Sequence, residues 1–473
     1  MCKHSPLLQT ILEHSQKTPD KTCFIVGDVI VSYSQLVEKT RKAATLLSEI
    51  GVTTNSRIIL SAQKDIEYIY FYLAAHLIGA VNVIIDAESN MDRIRYVENA
   101  THPVCCLGYK SEQITSYFFS ELCIDEAILF DLTTEIPNLS PESTSEILFT
   151  TGTTGTPKGV CLSYHNIYSS ACNINEYIKN TYNDVEVLAL PICHSFGMGR
   201  IRCNLIKGAT IILLGNFANV RLFLKTIEKY HVTGFGVVPA AWAYIRKISG
   251  RRIEKYSSQI RYIEIGSAAM PLETKKEMLQ MFPNTRICMH YGLTEASRST
   301  FIEFHDIEHL ESIGKPVCNM VDVKIIEGEI CVKGNMVMSK YLEKEDNISA
   351  FYGEYFRTGD CGYLSEDGYI YLLGREKEMI NVGGKKVSPV EVEEVVCSVG
   401  VGDCVCVPIK DVTGIMGELV KCYILRDSTL LNFEEIAELV SNKLELYKRP
   451  SVYEWIEKIP MTSSGKKQRI NLK

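Results

Sequence analysis

Residues 146–160 run from a short apolar stretch into five threonines, three glycines and a single lysine, Lys158. Glycine lets backbone N–H groups approach an anion, hydroxyls add donors, and the lysine supplies charge, so the chemistry suits a polyphosphate. A Walker A loop needs Gly-Lys followed by Ser or Thr, whereas here Pro157 precedes Lys158 and Gly159 follows it, which excludes a P-loop NTPase. A Thr/Gly-rich hairpin that holds no ligand is the alternative reading of the same residues.

A loop of this kind needs strands to carry it. The longest apolar run, 68–85, contains His76, Gly79 and Asn82 and is flanked by Asp65 and Asp86, too polar for a membrane span. It divides into a buried helix over 66–77 and a strand over 80–85, broken at Gly79. The same rhythm predicts a strand over 211–214, a helix over 220–230 and a strand over 234–238, then a strand over 260–265 and a helix over 272–281. Strands separated by single helices imply parallel sheet and an α/β class. From Val401 onward the apolar runs shorten and alternate. One amphipathic helix follows, with Phe433, Ile436, Ala437, Val440 and Leu444 on one face, opened by Asn432 as N-cap with Glu435 three residues on. A charged, glycine-bearing stretch over 374–384 separates this compact α+β unit from the body and reads as a hinge.

The 473 residues are 46% hydrophobic and 23% charged, as expected of a folded, water-soluble chain with more than one core. A net charge of −7 argues against broad binding to nucleic acid or anionic membrane. The charge is unevenly placed: residues 377–473 hold 14 basic and 14 acidic side chains, so the whole excess lies in 1–376. Within that neutral tail, residues 446–473 carry seven basic residues against Glu454 and Glu457, a basic tip that is either a phosphate-facing element or a solvated face. The N-terminus lacks an apolar core of signal-peptide length, so a cytoplasmic, reducing compartment is expected. The 17 cysteines then read as small buried hydrophobes; neither Cys105-Cys106 nor Cys404 with Cys406 has finger spacing.

Taken together, the motifs resemble the adenylate-forming superfamily of acyl-CoA synthetases, luciferase-like enzymes and peptide-synthetase adenylation domains, the acyl-CoA synthetases above all. The resemblance runs in order through residues 150–160, Gly266-Ser-Ala-Ala-Met-Pro271, Tyr291-Gly-Leu-Thr-Glu295 and Tyr355-Phe-Arg-Thr-Gly-Asp360. It continues through Gly374-Arg-Glu-Lys377, Gly383-Gly384 and residues 460–469. It implies an α/β fold with a large N-terminal body of layered β/α subdomains over 1–376, bearing the ATP and acyl pockets. A small mobile α+β C-terminal domain over 377–473 is implied beside it. The implied reaction is attack of a carboxylate on ATP to give acyl-adenylate and pyrophosphate, then displacement of AMP by a thiol. Implied cofactors are ATP, Mg²⁺ and CoA or a phosphopantetheine carrier. Implied partners are a carboxylic acid and CoA or an acyl or peptidyl carrier protein, with no nucleic acid, no transmembrane segment, and a monomer or homodimer.

The resemblance also implies roles for individual residues. Thr150, Thr151, Gly152, Thr153, Thr154, Gly155 and Lys158 would cradle the β- and γ-phosphates. Glu295 would hold Mg²⁺ and Thr294 would donate to the α-phosphate. Gly266, Ser267 and Ala268 would present backbone to adenine, with Tyr291 stacked on it and Gly292 beside it. Asp360 would accept the ribose hydroxyls with Arg375 adjacent. Lys466 would bridge the attacking carboxylate and the α-phosphate. Lys377 would be the hinge that exchanges this pose for one presenting Gly383 and Gly384 to the thiol. His194 would lie near the carboxylate and close the acyl pocket. No aspartate falls between 190 and 205 to pair an α-ammonium, which disfavours an amino acid. Arg200, Arg202 and Arg298 fall close to the expected pocket, either as surface charges or as partners for a polar tail of the acid. Asn335 and Ser339-Lys340 depart from the family pattern at positions implied not to contact nucleotide. A non-catalytic nucleotide- or acyl-binding relative, or an enzyme that stops at the adenylate, is the competing reading.

Overall fold

A computed structural model describes residues 4–133, 136–151, 157–317, 320–426, 428–461 and 467–472, the side chains of Thr151, Ile470 and Asn471 aside. A large N-terminal body is built on two mainly parallel sheets and one antiparallel sheet, and a smaller α+β domain follows. The helix expected over 66–77 is Ile66–Ile78, buried along nearly its whole length. It ends at Gly79, whose left-handed φ of 81° caps the helix. A Cβ there would fall 2.7 Å from Leu139, so both geometry and space call for glycine. The chain then enters the strand Val81–Asp86.

That strand lies in a seven-stranded sheet, hydrogen-bonded in parallel to Arg57–Ala62 on one side and Thr144–Thr151 on the other. The latter turns back antiparallel as Pro157–Ser163, so Thr150 faces Lys158 and Thr151 faces Pro157. The second sheet has nine strands. Its parallel centre includes Thr210–Leu213, Val185–Leu188, Gly234–Val237, Tyr262–Ile265 and Arg286–Tyr291. The expected helices over 220–230 and 272–281 are Val220–Tyr230 and Leu272–Met281. The third sheet is antiparallel and carries Tyr355–Leu364 paired with Ile370–Arg375, which sets Asp360 opposite Arg375.

The main core of the body runs through Phe24, Tyr33, Phe71, Phe235 and Trp242, and its last residue in the chain is Ile370. A separate core begins at Ile380 and gathers Val392, Val396, Cys404, Cys406, Ile424, Ile436 and Val440. Its helix Phe433–Ser441 opens on the expected capping box: Asn432 accepts from the Glu434 and Glu435 amides, and the Glu435 carboxylate accepts from the Asn432 amide at 2.9 Å. Leu444, expected on the same helical face, is buried beyond the helix end. Among the described residues no helix is long and apolar enough to cross a membrane.

Candidate active site

The expected polyphosphate residues fall at the carboxyl ends of parallel strands, where open α/β sheets present ligand crevices. Thr150 and Lys158 face each other in the hairpin, while Gly152, Thr153, Thr154 and Gly155 lie outside the described residues. The helix Met91–Thr101 braces both arms: Arg93 donates to the Phe149 carbonyl at 2.9 Å and Tyr96 donates to the Pro157 carbonyl at 2.9 Å. The Lys158 ammonium pairs with Asp346 at 2.7 Å and lies 5.0 Å from the centre of the Tyr341 ring. A hydroxyl-rich strand end with a lysine held at its rim gives a place for phosphate oxygens, and the two neighbours were not anticipated. Asp346 stands nearly 200 residues from Lys158 in sequence, with nothing local to signal the pairing.

Tyr341 also donates to Glu295 Oε1 at 3.0 Å. One ring therefore touches both the lysine expected on phosphate and the carboxylate expected on Mg²⁺. The departure at Ser339-Lys340 immediately precedes it, on the short strand Lys340–Tyr341 that pairs with Pro157–Ser163. Glu295 is buried, its carbonyl accepts from the Met338 amide at 2.7 Å, and Thr294 precedes it half-buried in the turn closed between Leu293 and Ala296. A rigid, buried carboxylate oxygen beside the lysine expected on phosphate suits a hard cation that takes one or two protein carboxylates and completes its shell with phosphate and water.

A second cluster joins Tyr291, Asp360 and Arg375. The Tyr291 hydroxyl donates to one Asp360 oxygen at 2.6 Å, and Arg375 Nε holds the other at 2.7 Å. The Asp360 amide donates to Thr358 Oγ1 at 3.0 Å. Burial, then Asp360, pushes the Tyr291 hydroxyl pKa well up, so it stays a donor. Burial opposes the Arg375 charge, but Asp360, Tyr291 and Glu295 outweigh it and hold the guanidinium ionised. The carboxylate plane of Asp360 is thereby fixed from two sides, as a group that accepts sugar hydroxyls requires.

Gly266, Ser267 and Ala268 follow the strand Tyr262–Ile265 at its carboxyl end. The Gly266 Cα lies against the His290 ring, where a Cβ would come within 2.1 Å of the imidazole, and Ser267 takes a left-handed φ of 75°. Non-glycine residues in that region carry strain of order 1–3 kcal/mol that the surroundings must hold. Gly292 stands directly after Tyr291, half-buried. His194 caps the helix Ser195–Lys207, and its backbone carbonyl accepts from Met198 at 3.1 Å.

The three arginines expected at the surface or on the substrate do neither. Arg200 is wholly buried and bonded to Glu186 at 2.5 Å and to Glu264 at 3.2 Å. Arg202 pairs with Glu146 at 2.6 Å, and Arg298 pairs with Glu264 at 3.2 Å while donating to the Ser195 and Phe196 carbonyls. Burial raises the Glu264 carboxyl, yet Arg298, His290 and Arg200 reverse this and hold it far below the usual range. These guanidiniums are spent on the chain's own carboxylates beneath the site.

In the small domain three of the seven basic residues of the tip are ion-paired among the described residues. Lys467 pairs with Asp403 at 2.9 Å and Glu393 at 3.2 Å, Arg469 with Glu378 at 2.7 Å and Glu393 at 2.8 Å, and Lys448 with Glu391 at 2.7 Å. Internal acids hold these three, as Asp346 holds Lys158. Lys466 lies outside the described residues; beside that stretch, Met461 bridges to Lys467 and the Gln468 amide donates to the Pro460 carbonyl at 2.8 Å. Lys377 sits in the one-turn helix Glu376–Glu378 directly after the strand Ile370–Arg375. Gly383 and Gly384 form the two-residue turn between Ile380–Val382 and Lys385–Val387, with φ of 59° and 81°, the pattern of a type I′ hairpin.

A family model described as AMP-binding enzyme matches residues 11–342. The chain is 27% identical to 4-coumarate–CoA ligase CCL1 of Humulus lupulus over 520 residues, spanning 98% of this chain and 92% of that protein. In structure it is similar to o-succinylbenzoate CoA synthetase from Bacillus subtilis in complex with its acyl-adenylate intermediate, with a TM-score of 0.89, 26% identity, and 98% and 97% of the two chains covered. The same synthetase in complex with ATP and magnesium ion gives a TM-score of 0.87 at 25% identity, covering 98% of each chain.

Proposed function

Because the chain belongs to the AMP-binding enzyme family, we propose that it is an AMP-forming acid–thiol ligase that converts a carboxylic acid and ATP to acyl-adenylate and pyrophosphate, then transfers the acyl group to CoA with release of AMP. The observation that carries this reading is the pair of clusters Lys158–Tyr341–Glu295 and Tyr291–Asp360–Arg375, close enough that Glu295 helps hold the Arg375 charge. The named CoA ligase relatives and the adenylate-bound neighbour support it.

In the first half-reaction two anions must meet, so charge neutralisation and alignment are the chain's main contributions. Lys158 leaves Asp346 to meet the β- and γ-phosphates at the rim formed by Thr150 and Thr151 and their loop. Glu295 would hold Mg²⁺ with its orientation fixed by Tyr341, and the ion supplies charge stabilisation on the phosphate oxygens. Thr294 donates to the α-phosphate. Asp360 accepts the ribose hydroxyls while Tyr291 offers its ring face to adenine, and the backbone of Gly266, Ser267 and Ala268 lines the base. His194 orders the acid's carboxylate. Lys466 bridges that carboxylate and the α-phosphate. For the second half-reaction the domain over 377–473 turns about Lys377 and brings the Gly383-Gly384 hairpin to the thiol.

ATP–pyrophosphate exchange across fatty, aryl, dicarboxylic and amino acids tests the first step, with aryl acids expected to lead as in the named relatives. Following thioester by mass with CoA and with a holo-carrier protein tests the second. Acid-dependent exchange and acyl-CoA are expected. Exchange with no acid-dependent thioester on either acceptor would overturn the reading in favour of an enzyme that stops at the adenylate.

A further inference from the structure

Asp86 ends the strand Val81–Asp86 in the seven-stranded sheet, and Cys193 and His194 lie in the turn that leads into the helix Ser195–Lys207. One donor atom from each, a carboxylate oxygen, a thiol sulfur and an imidazole nitrogen, lies within 4.8 Å of the others, and no other such trio occurs among the described residues. Cys193 is buried, while Asp86 and His194 are half-buried. Asp86 comes from more than 100 residues away in the chain.

The donor set is selective. Mg²⁺ demands oxygen ligands in octahedral array, and this trio offers one. Sulfur and imidazole nitrogen together favour a borderline or soft divalent ion, Zn²⁺ foremost, in a tetrahedral site. Bond lengths of about 2.0–2.3 Å to such an ion set donors roughly 3.5 Å apart, within reach of small side-chain rotations from the observed spread. Three protein ligands leave a fourth position for water or a carboxylate.

The geometry points to Asp86, Cys193 and His194 as a binding site for a thiophilic divalent cation, with Zn²⁺ as the test ion, whose occupancy withdraws His194 and reversibly blocks acid activation. As the sulfur binds, the thiol proton leaves to solvent; nothing is oxidised or reduced. The binding stands on coordination chemistry alone, and only the block on activation rests on the function proposed above.

Cobalt(II) replaces Zn²⁺ as the spectroscopic probe, titrated into the chelator-stripped full-length protein. Wild type is expected to show a sulfur-to-cobalt charge-transfer band and intense tetrahedral d–d absorption that Zn²⁺ abolishes. Cys193→Ser and His194→Ala should each lose about one equivalent of that signal, and Asp86→Asn should weaken it at least ~10-fold. Because the chain has 17 cysteines, the difference between wild type and Cys193→Ser is the decisive quantity. An unchanged band and stoichiometry in both Cys193→Ser and His194→Ala overturns the site. In exchange assays with Mg²⁺ in excess, Zn²⁺ should inhibit wild type at least ~10-fold more strongly than Cys193→Ser, and a chelator should restore activity. Loss of the cobalt signal in the variants with equal zinc inhibition overturns the block while leaving the site. A protein with no exchange activity at all fails the proposed function, and the cobalt difference still decides the site.

Discussion

The body and the small domain both pair basic residues with the chain's own carboxylates, but they do so at different depths. In the body, Arg200 with Glu186 and Glu264 is wholly buried, in a network joined by Arg298, His290 and Tyr262. In the small domain Arg469 with Glu393 is also buried, but Lys448 meets a Glu391 side chain that is 41% exposed, and Lys467 and Asp403 are in reach of water. Buried pairs cannot exchange partners without leaving a naked charge in low dielectric. Exposed ones can, because water takes over the abandoned charge. Rigidity therefore belongs to the buried network of the body, and adjustability to the exposed pairs of the domain proposed to turn.

Breaking the deep network should do the most damage. Arg200→Met leaves buried Glu186 without a cationic partner, while Glu264 keeps Arg298, and denaturant unfolding is expected to show a loss of about 3–5 kcal/mol; a loss below ~1 kcal/mol would place the network on a par with the surface pairs. Next in size is Lys466→Ala. Acyl-adenylate formation should fall at least ~10²-fold, the scale of one lost oxyanion donor, while thiol transfer from supplied acyl-adenylate stays nearly intact. Equal loss of both half-reactions would remove the assigned role. Tyr341→Phe deletes one hydrogen bond to Glu295, about 1 kcal/mol, and should raise the KM for Mg·ATP roughly 5-fold in exchange assays. The smallest effect is expected for Lys448→Ala, about 0.2–1 kcal/mol in thermal or denaturant unfolding, shrinking as salt is added. A salt-independent loss would show that this pair behaves as a buried one.

Local physics made much of this legible in the sequence. The helix Ile66–Ile78 with its stop at Gly79 and the capping box at Asn432 and Glu435 follow from periodicity and short-range hydrogen bonding. The order of motifs named most of the site. Partners brought together by the fold were not legible. Tyr341 reaches Lys158 and Glu295 only because a two-residue strand adds to the edge of the hairpin. Arg200, Arg202 and Arg298 looked like exposed or substrate-facing charges because their acids, Glu186, Glu146 and Glu264, stand on separate strands. No alternation of apolar and polar residues reveals which buried arginine meets which buried glutamate. Of the seven basic residues near the C-terminus, three meet Glu378, Glu391, Glu393 and Asp403, acids that stand more than 40 residues earlier in the chain.

The nine-stranded sheet also constrains how the protein comes into being. Its strand Thr22–Val26 leaves the ribosome early, yet its parallel partner is Thr210–Leu213, and Thr210 donates to the Thr22 carbonyl across 188 residues of chain at 2.7 Å. Glu146, buried beside Tyr72 and His76, likewise waits for Arg202 to supply its counter-charge. A nascent chain stopped short of about residue 213 therefore carries an unpaired sheet edge, and one stopped short of Arg202 carries an uncompensated acid as well. Such long-range closure is slow, so Thr22–Val26 and Glu146 wait for partners made well after them.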